Sequence, residues 1–257
     1  MPAPSLQVTE LGERGSRIAF CHGLFGQGRN WTQIGKALAA DHRVTLIDMP
    51  NHGESGWTQT LSYPDMADAV AELFTADDPV ALVGHSMGGK AAMMLALRHP
   101  ELVERLAVVD VSPVSYETGR GEFADFIQAM RELDLGSIES RGDADTALAP
   151  AVPNRTVRSF LLQNLRRDGD GWRWQLNLEL LGNELDALGG WPETDEHYDG
   201  PVLWIGGANS DYVLDEHAPA MERHFPLVRR VTVKDAGHWV HSERPEVVLE
   251  VLRRFVD

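Results

Sequence analysis

The sequence predicts an α/β fold, a mostly parallel sheet flanked by helices, and three observations lead there. Short β-branched or aliphatic runs alternate with stretches whose apolar residues recur every three or four positions. The 257 residues are 43% hydrophobic and 24% charged, which is ordinary globular composition and excludes a disordered or collagen-like chain. One strand-like run leads directly into Gly84-His85-Ser86-Met87-Gly88 and then a helical pattern, a spacing of glycines that suits a sharp bend.

In chain order, the expected strands span 17–20, 44–49, 80–84, 106–111, 202–205 and 228–233, each a short Val, Ile, Leu or Phe-rich run. Apolar periodicity predicts helices over 31–40, 65–74, 87–99, 216–224 and 246–255. The rhythm breaks once. From 113 to 198 no buried-strand pattern occurs, only helical pieces at 122–133 and 157–165 and the Trp-rich stretch Gly171-Trp172-Arg173-Trp174. An insertion of that length between two core strands reads as a helical lid over the sheet edge where sites form. The expected division is therefore a core of 1–112 with 200–257 and a cap over 113–199.

Charge and cysteine content narrow the function. Acidic residues outnumber basic ones 39 to 23, a formal net charge of −16, so the summed field repels phosphate backbones and nucleic acid is not an expected partner. The one cysteine, Cys21, cannot form an internal disulfide or a Cys-rich zinc site, and it reads as a small buried side chain. The longest uninterrupted apolar run, 91–97, falls far short of the roughly 18 to 20 residues that cross a bilayer. The first residues lack the basic start and apolar block of a secretory signal, so a cytoplasmic location is expected.

The chemistry centres on Ser86. A serine hydroxyl is a poor nucleophile until an imidazole takes its proton. The expected base is His238, in Gly237-His238-Trp239 after the last strand run, with His241 read as a rim residue. Two carboxylates compete to orient that imidazole. Asp110 ends the apolar run 106–111, where a buried charge needs a partner such as a histidine N–H; Asp211 follows the 202–205 strand, although spacing puts Ser210, not Asp211, where an acid in that loop would stand. Asp110 is preferred and Asp211 is the alternative. Backbone amides of Met87 and of Leu24, in His22-Gly23-Leu24-Phe25-Gly26, are the expected oxyanion donors. The glycines of that loop match neither a dinucleotide fingerprint nor a P-loop. Asp48 and His52 stand near each other without a further ligand at metal spacing, so neither a metal nor a cofactor is expected. Among the aromatics, Phe25, Trp172, Trp174 and Trp239 are candidates for a substrate pocket, and the lid aromatics Phe123, Phe126 and Phe160 read as lid core or pocket wall. Arg166 and Arg167 are the candidates for a local basic patch should the substrate carry phosphates.

His22-Gly23-Leu24-Phe25-Gly26, the segment 48–55, Gly84-His85-Ser86-Met87-Gly88-Gly89-Lys90, Val109-Asp110-Val111-Ser112-Pro113 and Gly237-His238-Trp239-Val240-His241 together resemble the α/β-hydrolase superfamily, and within it the YbfF-type carboxylic ester hydrolases. The stretch 160–165 with 171–174 extends the resemblance over nearly the whole chain. It implies an eight-stranded sheet with a helical cap inserted after the sixth strand. The implied reaction is hydrolysis of small-molecule carboxylic esters or thioesters with small to medium acyl groups, with the acid taken from the end of the sixth strand. The same residues serve perhydrolysis, haloperoxidation, carbon–carbon bond hydrolysis and a menaquinone-pathway lyase step elsewhere in the superfamily. A non-catalytic ligand-binding receptor is the alternative of another class.

Overall fold

The computed structural model describes residues 4–116 and 121–257. Its strands are β1 (Val8–Leu11), β2 (Arg17–Cys21), β3 (Arg43–Ile47), β4 (Val80–His85), β5 (Val103–Val109), β6 (Leu165–Asp168), β7 (Gly171–Trp174), β8 (Val202–Gly207) and β9 (Val228–Val233). Seven of them form one sheet in the order β1-β3-β2-β4-β5-β8-β9, parallel except for β1, while β6 and β7 pair separately as an antiparallel hairpin.

The helices are α1 (Thr32–Leu38), α2 (Tyr63–Ala71), α3 (Met87–Arg98), α4 (Glu122–Glu132), α5 (Arg141–Leu148), α6 (Arg155–Leu162), α7 (Leu178–Asn183), α8 (Leu185–Gly189), α9 (Ala218–His224), α10 (Val240–Glu243) and α11 (Pro245–Val256). The central strands read as unbroken apolar runs because both of their faces are covered. Ile18 and Phe20 of β2 join Ala81 and Val83 of β4 beneath α1 and α11, whereas Ala19, Cys21, Val80 and Leu82 face α2 and α3. Fully burying a side chain the size of Ile18, Phe20, Leu82 or Val83 is worth about 1.5–3 kcal/mol. The apolar layer under α2 and α3 continues without a break into α4, α6, α7 and α8, so the segment between β5 and β8 packs on the core through shared interior.

Two expectations are corrected. The main sheet has seven strands among the described residues, not eight. Ahead of β1 the carbonyls of Ser5 and Gln7 accept from the amides of Gly56 and Asp48 in the loop after β3, so this stretch is tied to that loop instead of pairing as a further strand of the sheet. The inserted segment is also not purely helical, because 165–174 forms a hairpin around Gly169 (φ 57°) and Asp170. The sheet order reverses beside β2, and the loops after β2, β4, β5 and β9 gather at that crevice outside the carboxyl ends of the strands.

Candidate active site

The bend between β4 and α3 presents Ser86. Its φ of 52° and ψ of −121° lie where non-glycine residues are strained by about 1–3 kcal/mol. Close packing enforces the bend: a Cβ on Gly84 would lie 2.3 Å from the Gly88 carbonyl oxygen, and one on Gly88 would lie 2.4 Å from that of His22. The Ser86 amide donates to the Val109 carbonyl (3.0 Å), pinning the bend to β5. The serine thus stands above the sheet at the N-terminus of α3, where partial positive charge gathers.

His238 Nε2 lies 3.0 Å from Ser86 Oγ, and its Nδ1–H donates to Asp110 Oδ2 at 2.8 Å. The bond to the carboxylate sets the tautomer and leaves Nε2 free to accept the serine proton. Asp110 is 0% exposed and follows β5 with a φ of 52°. Two more donors, the Gly207 amide (2.8 Å) and the Ser210 hydroxyl, complete its shell, so the buried carboxylate is fully paired. Asp211 is exposed and takes no part in this line. Three partners that sequence reasoning did not assign hold the imidazole and its acid. His85 Nε2–H donates to the His238 carbonyl (2.8 Å), Tyr212 stacks on the His238 ring at 4.2 Å, and Ser210, noted only as the residue in an acid's place, donates to the acid instead. His241 is not at the rim of this line; it stacks on Trp31 (4.3 Å) and meets the His85 ring at a tilt (4.5 Å), and burial pushes its ring down to about 3.

The amides of Leu24 and Met87 meet no acceptor among the described residues, whereas their neighbours are committed. Phe25 N–H donates to His52 Nε2 (3.3 Å) and Gly26 N–H to the Gly23 carbonyl (2.9 Å). His22 bridges in the same manner, its Nδ1–H donating to the Gly23 carbonyl and its Nε2 accepting from the Met49 amide. Burial pushes His22 down to about 4 and His52 to about 3, so both are neutral braces between the loops after β2 and β3. Asp48 is a brace as well, accepting from the amides of Gly28 and Glu54. Burial pushes the Cys21 thiol up to about 12, which removes it as a thiolate nucleophile.

A pocket enclosing about 430 Å³, its open mouth included, meets Ser86 beside Leu24 and Met87 and is walled by Val111, Phe123, Leu185 and Leu188. None of the four aromatics expected to line it does so. Phe25 is buried behind the loop against Phe123 and Phe126, and the Trp174 indole N–H donates to the Met130 carbonyl inside the inserted segment. Trp172 lies against the Arg167 guanidinium at 4.4 Å, and Trp239 faces Phe160 in a separate groove. Arg166 and Arg167 donate to backbone carbonyls of their own segment and lie off the pocket wall.

Comparison with known proteins places the fold. A family model described as the alpha/beta hydrolase fold matches residues 17–245. The sn-1-specific diacylglycerol lipase ABHD11 of Mus musculus is 39% identical over 247 residues, covering 93% of this chain and 80% of the mouse protein. Esterase YbfF of Escherichia coli (strain K12) is 31% identical over 253 residues, covering 98% and 97%. Among solved structures, a marine microorganism esterase superposes with a TM-score of 0.94 at 32% identity, covering 98% of this chain and all of that one (100%).

Proposed function

This chain belongs to the α/β-hydrolase family, and from that premise we propose that it is a serine esterase acting on carboxylic esters with small to medium acyl groups. His238 Nε2 takes the proton as Ser86 Oγ attacks the ester carbonyl carbon, and Asp110 stabilises the imidazolium. The amides of Leu24 and Met87 receive the oxyanion. The proton then passes from His238 to the leaving alkoxide, which departs as the alcohol and leaves an acyl-serine. Water, deprotonated by the same imidazole, releases the carboxylic acid and restores Ser86.

The observation that carries this reading is the line Ser86–His238–Asp110, bonded at 3.0 and 2.8 Å, beside two uncommitted amides in one pocket wall. Acyl size follows from that pocket, where Val111, Phe123, Leu185 and Leu188 close around the space beside Ser86 and Tyr63, Lys90, Tyr116 and Tyr212 complete the lining. The segment 113–199 supplies Phe123, Leu185 and Leu188 to the wall, which supports its reading as a lid.

The test is hydrolysis of p-nitrophenyl butyrate by purified wild-type protein and by Ser86→Ala. The variant is expected to fold normally and to lose at least about 10⁴-fold in kcat, together with labelling by a fluorophosphonate. Activity retained in a folded Ser86→Ala overturns the nucleophile assignment. Wild-type protein that neither hydrolyses esters nor labels favours a ligand-binding receptor.

A further inference from the structure

Lys90 is the most unusual residue of the pocket wall. It is 1% exposed and has no carboxylate within ion-pair distance among the described residues. An ammonium removed from water without a counter-ion is costly, and a methionine would fill much the same space. All its donors are instead spent on backbone: Nζ reaches the carbonyls of Val114 (2.9 Å), Gly189 (2.6 Å) and Gly190 (2.6 Å). Tyr116 and Tyr63 cover the charge with ring faces at 4.7 and 5.6 Å, a favourable setting for a cation.

Those three carbonyls belong to the two places where the chain leaves and re-enters the core. Val114 stands just after β5 where the inserted segment begins, and Gly189 and Gly190 close α8 where it returns. The crossings are also laced to each other, by Tyr116 N–H to the Gly189 carbonyl (2.9 Å) and Trp191 N–H to Ser115 Oγ (3.0 Å). Lys90 is their link to the core helix α3, and its own amide donates to the Ser86 carbonyl one turn away. Lys90, Leu188 and Gly189 all line the pocket that holds Ser86.

We infer that Lys90 is a positioning residue that latches both crossings of the lid segment to the helix carrying Ser86, and by fixing α8 sets the depth of the acyl pocket. The latch transmits position through three hydrogen bonds and takes no part in proton transfer. Its consequence for acyl selection rests on the esterase reading given above; its consequence for the crossings does not.

Two readouts separate the parts. With p-nitrophenyl acetate, butyrate and octanoate, Lys90→Met is expected to raise KM for butyrate about tenfold while kcat falls less than about threefold, and to shift preference toward octanoate, because ground-state binding rather than the chemical step is lost. Lys90→Arg, which keeps the charge and the donors, restores part of the wild-type KM. In amide hydrogen exchange, the Tyr116 and Trp191 amides of wild-type protein are expected to be protected to the same degree as interior amides of α3, and to exchange at least about tenfold faster in Lys90→Met. A folded Lys90→Met with wild-type chain-length preference and wild-type exchange overturns the inference. If neither variant folds, the wild-type exchange decides: open-loop rates at Tyr116 and Trp191 overturn the latch, and strong protection upholds it. If the wild-type protein hydrolyses no ester, the esterase reading fails while the exchange result still judges the latch.

Discussion

At the scale of single residues, the acid is where the sequence leaves a choice, and the geometry supports Asp110. β5 and β8 are neighbours in the sheet, so a carboxylate at the end of either strand can reach the same imidazole. In this chain the loop after β8 supplies a hydroxyl, Ser210, and an amide, Gly207, which both donate to Asp110; the neighbouring position has become part of the acid's shell. Asp211 points away into solvent, one residue past the place from which it could have replaced Asp110. Asp110→Asn is therefore expected to lower kcat by about 10⁴-fold, since the amide NH2 can turn toward Nδ1 as a donor and hold the imidazole in the wrong tautomer. Asp211→Asn should leave kcat within about twofold, as exposed substitutions away from a site generally do. Steady-state kinetics on p-nitrophenyl butyrate checks both, and the reverse ranking would move the acid to the loop after β8.

At the scale of elements, the bend before α3 was legible because close approach leaves a compositional trace. Gly84 and Gly88 touch backbone where a Cβ has no room, and no packing rearrangement elsewhere can substitute for the missing atoms. Gly88→Ala would drive a methyl against the carbonyl oxygens of His22 and Cys21, at 2.4 and 2.6 Å. We expect a loss of about 1–3 kcal/mol in urea unfolding. The push falls on the strand end leading to Leu24, so kcat should also drop by about 100-fold as one oxyanion donor is displaced; unchanged kinetics would show that the loop gives way harmlessly. Of the six core strands, β2, β3, β4, β5 and β8 were legible for a related reason, namely that two covered faces leave a nearly unbroken apolar run, and the half-exposed edge strand β9 was legible from Val228, Val231 and Val233. The strands β1, β6 and β7 were not, because Thr9, Glu10, Arg166 and Arg167 interrupt the apolar pattern on partly exposed ribbons, although the Gly169-Asp170 turn is a hairpin signal. Nor could spacing say where aromatics point. Trp174, a candidate for either pocket wall or core of the inserted segment, donates to a carbonyl of α4, because the choice between interior and ligand surface is made by tertiary contacts that one strand's sequence does not contain.

At the scale of the whole molecule, the loops around the site are joined by imidazoles used as neutral braces, and this couples folding to pH. His22, His52 and His85 are buried, and burial holds all three below their ordinary range, the first two at about 4 and about 3. Each offers one donor and one acceptor only while neutral: His22 and His52 tie the loop after β2 to the loop after β3, and His85 holds the His238 loop. On unfolding, these rings regain a pKa near 6.5. Below that value the unfolded chain binds protons that the folded chain refuses, so stability is retained above about pH 6.5 and is lost as pH falls from there toward the folded values. His22 and His52 each cost about 2 kcal/mol between pH 7 and pH 5, and His85, held low chiefly by burial, adds to the fall in the same direction. Urea unfolding at pH 7.0 and pH 5.0 is expected to show a large fall in the midpoint, and replacing His52 by Gln, which keeps a donor and an acceptor without a titrating ring, should reduce that fall relative to its own pH 7 value. A midpoint that does not move between the two pH values would mean that the rings are charged or solvated in the folded state, and the braces around the Leu24 loop would then have to be of another kind.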